Sequence, residues 1–418
     1  MKRITNKIFY ISILMFSFIS CKTDTKLINE YLEKPKTDKI NNLANRYLEL
    51  NRFSGVILVT KNGNIIYNNS FGLADYENKR PFSGITTFKI GGITELVTAS
   101  IIRNMADNDK FKLSDKISKY IPEIKADFTI DNLLNHKTYL PNIKTIKEQN
   151  TELDYSTIGF ANLVTQTSES IDRSDLGYNI LGLLIERISG TSFQKNIQNY
   201  CTKTGIENTY FQKQDTSLAV GYLYSNYRGK GDELHKSPNY DLNITFSSNG
   251  LKSTANDLMK IINPNNELDF YDYLENDGFS YSIQNHTKNQ TTIIILSNRR
   301  HPVAKEISTG INQILHGKEY RLPLLRKPFE IDKKLLKDYS GTYALNQNMN
   351  IDILSKNDSL FVLMGPNKVH LIPQSANQFY MEQTDASMRF LRDSTNLVNE
   401  IVLLNGFLDG DKVNRIKK

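Results

Sequence analysis

The dipeptide Asn62-Gly63, set between the runs Gly55 to Lys61 and Asn64 to Asn69, constrains this chain more than any other short segment. A two-residue connection between antiparallel strands needs positive φ at both positions, and asparagine followed by glycine supplies it at the least steric cost. The flanking runs are rich in Val and Ile, so the spacing predicts a β-hairpin. Before it, Ile40, Leu43, Ala44, Tyr47 and Leu48 recur at helical spacing behind Thr37 or Asp38 as capping residue. After it, Ile93, Leu96, Val97, Ile101, Ile102 and Met105 trace one apolar face of a second helix that starts beyond Gly91. A half-buried hairpin bracketed by amphipathic helices is an α+β arrangement.

The amino terminus predicts export. Lys2, Arg3 and Lys7 precede an apolar run from Ile8 to Ile19 that ends at Ser20-Cys21. The run is shorter than the roughly 20 apolar residues of a membrane span, and the order of charge, apolar core and small residue is that of a signal peptide. Cys21 directly after a small residue resembles a bacterial lipobox. The expectation is cleavage after residue 20 and acylation of Cys21, which makes the lipid bilayer a partner; an ordinary signal peptide is the alternative. Lys22 in the next position favours the bacterial outer membrane by analogy. Residues 21–36 are polar, contain Pro35, and are expected to be a tether. Losing the signal lowers the formal charge from +7 to +4, too little and too scattered to suggest nucleic acid. With Cys21 acylated, Cys201 has no partner for a disulfide and is expected to be a packed apolar residue. Six dispersed histidines form no grouping that suggests a metal, and no cofactor motif is present.

Residues 88 to 98, Phe-Lys-Ile-Gly-Gly-Ile-Thr-Glu-Leu-Val-Thr, resemble the nucleophile segment of the serine β-lactamase and penicillin-binding protein family. That family has Phe-Arg-Ile-Gly-Ser-x-Thr-Lys here, a serine and a lysine three residues apart on one helix face, so that a poor nucleophile meets its base. Gly92 stands in the place of the serine and Glu95 in that of the lysine. Other landmarks follow in the family's order. They are Ser54 to Val59 with Phe71-Gly72-Leu73-Ala74, Leu113 to Pro122, Ile130 to His136, and Gly250 to Leu258, within roughly residues 40–315. The resemblance implies a β-lactamase/transpeptidase-like domain over residues 37–318, an antiparallel sheet flanked by helices with a helical region. Pro323 and Pro328 mark a linker, and short strand-like runs from Tyr339 to Leu404 predict a small antiparallel β-barrel or meander over residues 330–418. It resembles the lipocalin-like domain appended to many family members.

The family's second motif, Tyr-Ser-Asn, aligns through Gly177-Tyr178 with Arg173-Ser174-Asp175. The third, Lys-Thr-Gly or His-x-Gly on an edge strand, should fall within Asp269 to Gly278, where the nearest candidate is Asn276-Asp277-Gly278. If Glu95 and Arg173 occupy the old lysine and tyrosine positions, they face each other as an inverted ion pair with Asp175 nearby. His136 is expected to be a structural hydrogen-bonding group. The one Ser-x-x-Lys, Ser192 to Lys195, opens a surface helix. No catalytic residue is therefore expected, and Gly92, Glu95, Arg173 and Asp175 are the degenerate pocket positions. The resemblance then implies an envelope lipoprotein that binds a ligand, a cell-wall peptide or small anion, through Arg173, or that scaffolds an envelope protein. Two alternatives stay open: a hydrolase in which Glu95 or Asp175 activates water, and a purely structural interaction module.

Overall fold

The computed structural model describes residues 32–140, 157–164, 173–211, 216–224, 234–237, 246–262, 271–274, 278–301, 303–346, 349–364, 367–381, 384–405 and 409–417. The signal segment, Cys21 and most of the expected tether lie outside them. The helices of the first domain are α1 (Lys34–Glu49), α2 (Thr94–Asp107), α3 (Ile130–Leu134), α4 (Thr157–Val164), α5 (Asp175–Ser189), α6 (Phe193–Thr204), α7 (Phe246–Asn249), α8 (Ala255–Ile261) and α9 (Val303–Leu315).

The hairpin forms where Asn62-Gly63 places it. Strands β1 (Gly55–Lys61) and β2 (Asn64–Phe71) pair antiparallel with Lys61 opposite Asn64, and φ is 51° at Asn62 and 77° at Gly63. Three small antiparallel pairs stand apart from the main sheet, β3 (Leu73–Asp75) with β4 (Arg80–Pro81), β5 (Phe88–Lys89) with β8 (Lys252–Ser253), and β6 (Tyr222–Tyr224) with β7 (Leu234–Lys236). The main sheet adds β9 (Tyr271–Leu274), β10 (Ser280–His286) and β11 (Thr291–Ser297) in the order β2-β1-β11-β10-β9.

Both faces of this sheet are covered, and the strand alternation decides which residue goes where. Ile57, Val59, Ile293 and Ile295 pack with Ile40, Leu43 and Tyr47 of α1 and Ile307 and Ile311 of α9. Val56, Leu58, Ile294 and Leu296 join the larger core built by α2, α3, α5 and α6. The first helix begins at Lys34, earlier than the expected cap at Thr37 or Asp38. Pro35 belongs to its first turn, where a missing N–H costs nothing because those donors have no intrahelical acceptor.

A connection rich in proline leads to the second domain, in which a short helix, α10 (Leu336–Tyr339), precedes eight strands. They are β12 (Gly341–Asn346), β13 (Met349–Lys356), β14 (Ser359–Met364), β15 (Asn367–Pro373), β16 (Gln378–Tyr380), β17 (Ser387–Arg392), β18 (Val398–Leu404) and β19 (Lys412–Lys417). The strands close into an antiparallel barrel, with β19 pairing back onto β12. Tyr339, Tyr343, Leu360, Phe379, Phe390 and Ile401 fill its interior. Arg52, only 4% exposed, crosses to this domain: Nη1 meets Asp385 Oδ1 at 2.9 Å and Nη2 donates to the Thr384 carbonyl at 2.6 Å. Arg326 donates to the Asp385 carbonyl, so one loop of the barrel is gripped from two sides.

Candidate functional site

The site lies where α2 begins. Gly91, at φ 46°, opens a tight turn over Gly91–Ile93 that runs directly into the helix. Thr94 Oγ1 accepts from Leu251 N at 3.1 Å, and Thr98 Oγ1 donates to the Ser247 carbonyl at 2.7 Å, tying α2 to the segment that carries Asn249. Glu95 then projects from the first helical turn, where the helix dipole favours an anion, and is only 4% exposed. Opposite, the start of α5 presents Arg173, Ser174 and Asp175.

Arg173 and Glu95 meet. Nη2 of Arg173 donates to Oε2 of Glu95 at 2.5 Å, while the arginine side chain keeps 46% of its surface in solvent. The same carboxylate oxygen lies 3.3 Å from His136 Nε2. Nδ1 of His136 accepts from Ser174 N over a long 3.4 Å contact, and its ring lies tilted by 31° against Tyr178 with centroids 5.0 Å apart. An accepting Nδ1 leaves the proton on Nε2, so the neutral tautomer donates to Glu95. His136 is therefore the hydrogen-bonding group expected of it, and it buttresses the pocket carboxylate, a role its sequence position alone did not reveal.

Gly92 explains how the arginine fits. A Cβ at this position would lie 3.1 Å from Arg173 Nη2, 3.6 Å from Asn249 Oδ1 and 3.7 Å from the Tyr281 hydroxyl. The guanidinium thus sits close over Gly92, and a side chain there would require Arg173 to give by a few tenths of an ångström. Among the described residues, Glu95 Oε1 is buried without a hydrogen-bond partner. Asp175 is held above the usual carboxylate range, first by burial and then by the Glu95 charge, with a hydrogen bond from Asn249 and the Arg173 charge opposing.

Of the sequence candidates, Gly92, Glu95, Arg173 and Asp175 come together. Asn276 and Asp277 lie outside the described residues, whereas Gly278 serves the backbone: at φ 92° it lets Tyr222 N approach so closely that a Cβ would stand 2.3 Å from it. Ser192 is a cap, its Oγ accepting from Lys195 N at 3.2 Å, far in role from a nucleophile. Cys201 is buried among apolar neighbours, with Sγ 3.5 Å from the Thr209 carbonyl. Asn249 and Tyr281 went unnoticed in sequence. Asn249 directly precedes the Gly250 landmark, and Tyr281 is one of several alternating residues of β10, so neither carried a distinguishing signal.

Comparison with known proteins places this geometry. The chain is 22% identical over 439 residues to a penicillin-binding protein of Bacillus subtilis (strain 168), covering 86% of this chain and 94% of the relative. It is 26% identical over 212 residues to a teichoic acid D-alanine hydrolase of Staphylococcus aureus, covering 48% of this chain and 52% of that one. Among solved structures, the octameric penicillin-binding protein homologue from Pyrococcus abyssi superimposes with a TM-score of 0.57 at 17% identity, over 90% of this chain and 99% of that one. A class C β-lactamase gives a TM-score of 0.56 at 17% identity, over 69% and 98%. The Beta-lactamase profile matches residues 40–278, more than half of the chain. The chain belongs to the Beta-lactamase family, with the β-lactamase/transpeptidase-like fold and a carboxy-terminal eight-stranded barrel.

Proposed function

We propose that this member of the β-lactamase-related serine hydrolase family is a non-catalytic, ligand-binding lipoprotein held at the cell envelope by acylated Cys21. The observation that carries the reading is the Arg173 guanidinium seated over Gly92 and paired with Glu95 at 2.5 Å. Acyl transfer in this fold needs a hydroxyl and a base at those two positions; a hydrogen atom and a neutralised carboxylate stand there instead. The order of Lys2, Arg3 and Lys7, the apolar run and Ser20-Cys21 supports the anchor. The test is covalent. Purified protein incubated with a fluorescent penicillin and, separately, with a fluorophosphonate is expected to remain unlabelled; a stoichiometric adduct overturns the reading.

One observation favours a second reading, activation of water by a carboxylate. Asp175 is held above the usual carboxylate range by burial and by the Glu95 charge, the direction in which a carboxylate general base is tuned. Release of D-alanine from teichoic acid, the activity named for the Staphylococcus relative, without labelling and lost in Asp175→Asn or Glu95→Gln, would support it.

A further inference from the structure

The site at the start of α2 is an acceptor-lined pocket that the protein fills with a cation of its own. Glu95 is nine-tenths buried and more, its Oε2 shared by Arg173 and His136, and its Oε1 has no hydrogen-bond partner among the described residues. Asn249 turns its amide nitrogen away, donating to Ser248 Oγ at 3.2 Å and bonding Asp175, which leaves Oδ1 as the atom facing Gly92. The Tyr281 oxygen completes the rim 3.7 Å from the Cβ position. Two carboxylates, an amide oxygen and a phenol oxygen therefore converge around one positive group. That group, Arg173, is also the most exposed member of the set, on a side chain 46% open to solvent.

We propose that this pocket is a binding site for a primary ammonium or guanidinium group, which enters by displacing the Arg173 side chain from Glu95 and occupying the volume over Gly92. The inference rests on the reading of the pocket as non-catalytic and reverses the sign of the ligand expected from the sequence. Arg173 is already neutralised and offers little to an anion, whereas the buried carboxylate has an oxygen still to be satisfied, and a desolvated acceptor left unpaired is costly. A monoatomic cation is disfavoured, since no grouping of three or more His, Cys, Asp or Glu among the described residues is arranged to hold one. The resident arginine acts as an internal competitor. An external cation's apparent affinity is reduced by the fraction of molecules in which Arg173 has swung out, so removing the arginine should tighten binding by about tenfold or more.

The test uses the full-length chain and two probes, methylguanidinium chloride and n-butylammonium chloride, with sodium chloride and sodium butyrate at matched ionic strength. Wild-type protein is expected to show a saturable rise in melting temperature with either cation and with neither sodium salt. In Arg173→Ala the midpoint should fall at least tenfold, and in Arg173→Ala combined with Glu95→Gln the response should vanish. Arg173→Lys, which keeps the charge on a shorter and more easily displaced side chain, covers the case in which the alanine variant does not fold, and its midpoint should lie below that of wild type. A saturable response to butyrate instead of the cations, or no saturable response in wild type and in the Arg173 variants, overturns the proposal. Penicillin labelling is read in the same preparations, so a covalent adduct sinks the non-catalytic reading, while unlabelled protein that ignores both cations sinks only this one.

Discussion

At the scale of single residues, the pocket pair is asymmetric, and the asymmetry is measurable. Removing Arg173 strands a carboxylate that is 4% exposed, whereas removing the charge of Glu95 leaves an arginine that already reaches water. Arg173→Ala is therefore expected to lose about 1–3 kcal/mol of stability, between an exposed and a fully buried pair, and Glu95→Gln less; denaturant titration of the two variants checks the order. Asp175 has a pH signature. Its folded-state affinity for protons is raised, so the folded protein holds more protons than the unfolded chain above the ordinary carboxylate range, and stability falls as pH climbs through that window. Asp175→Asn should remove this fall, raising the melting temperature at pH 7.5 more than at pH 4. Cys201 makes a third case. Burial, and secondarily the Asp257 charge, push its thiol up to about 11, so iodoacetamide at pH 8 should leave it unmodified until the protein is unfolded.

Elements show how much of the molecule was legible in the sequence. The hairpin was, because positive φ at Asn62 and Gly63 leaves few other conformations for the flanking residues. The second helix was, because Ile93, Val97, Ile101 and Ile102 keep one buried face whatever happens to the chemistry beside it. The onset of α1 was not: Pro35 signals a break in most contexts and the first helical turn in this one, and only the contacts of the turn distinguish them. The last barrel strand also escaped notice, since in Lys412–Lys417 Val413 is the one apolar residue in the core and the strand's other apolar residue, Ile416, is exposed among charged and polar neighbours. In the pocket, motif alignment located Glu95, Arg173 and Asp175, but Asn249 and Tyr281 enter through tertiary approach alone. Ser192 illustrates a motif whose meaning an element decides. As the cap of α6 it satisfies an otherwise free backbone N–H, and Ser192→Ala should cost about 1 kcal/mol in urea denaturation while leaving the pocket unchanged.

Across the whole molecule, the two domains are held by charge as well as by chain. Arg52 is nearly sealed from solvent between the first domain and the loop bearing Thr384 and Asp385. Its removal leaves a carboxylate with weaker partners at the junction, so Arg52→Ala should lose about 2–4 kcal/mol, separate one calorimetric transition into two, and open residues 316–332 to proteolysis. The pocket has a consequence at this scale too. Because residue 92 carries no side chain, the guanidinium of Arg173 can stand close over it, and any side chain there would crowd that guanidinium. A serine at position 92 would press on the arginine, a lysine at position 95 would meet the same arginine as a like charge, and a tyrosine at position 173 would leave Glu95 buried without its cation. Positions 92, 95 and 173 are therefore coupled through one small volume, and exchanges made at all three together should be tolerated better than any one alone.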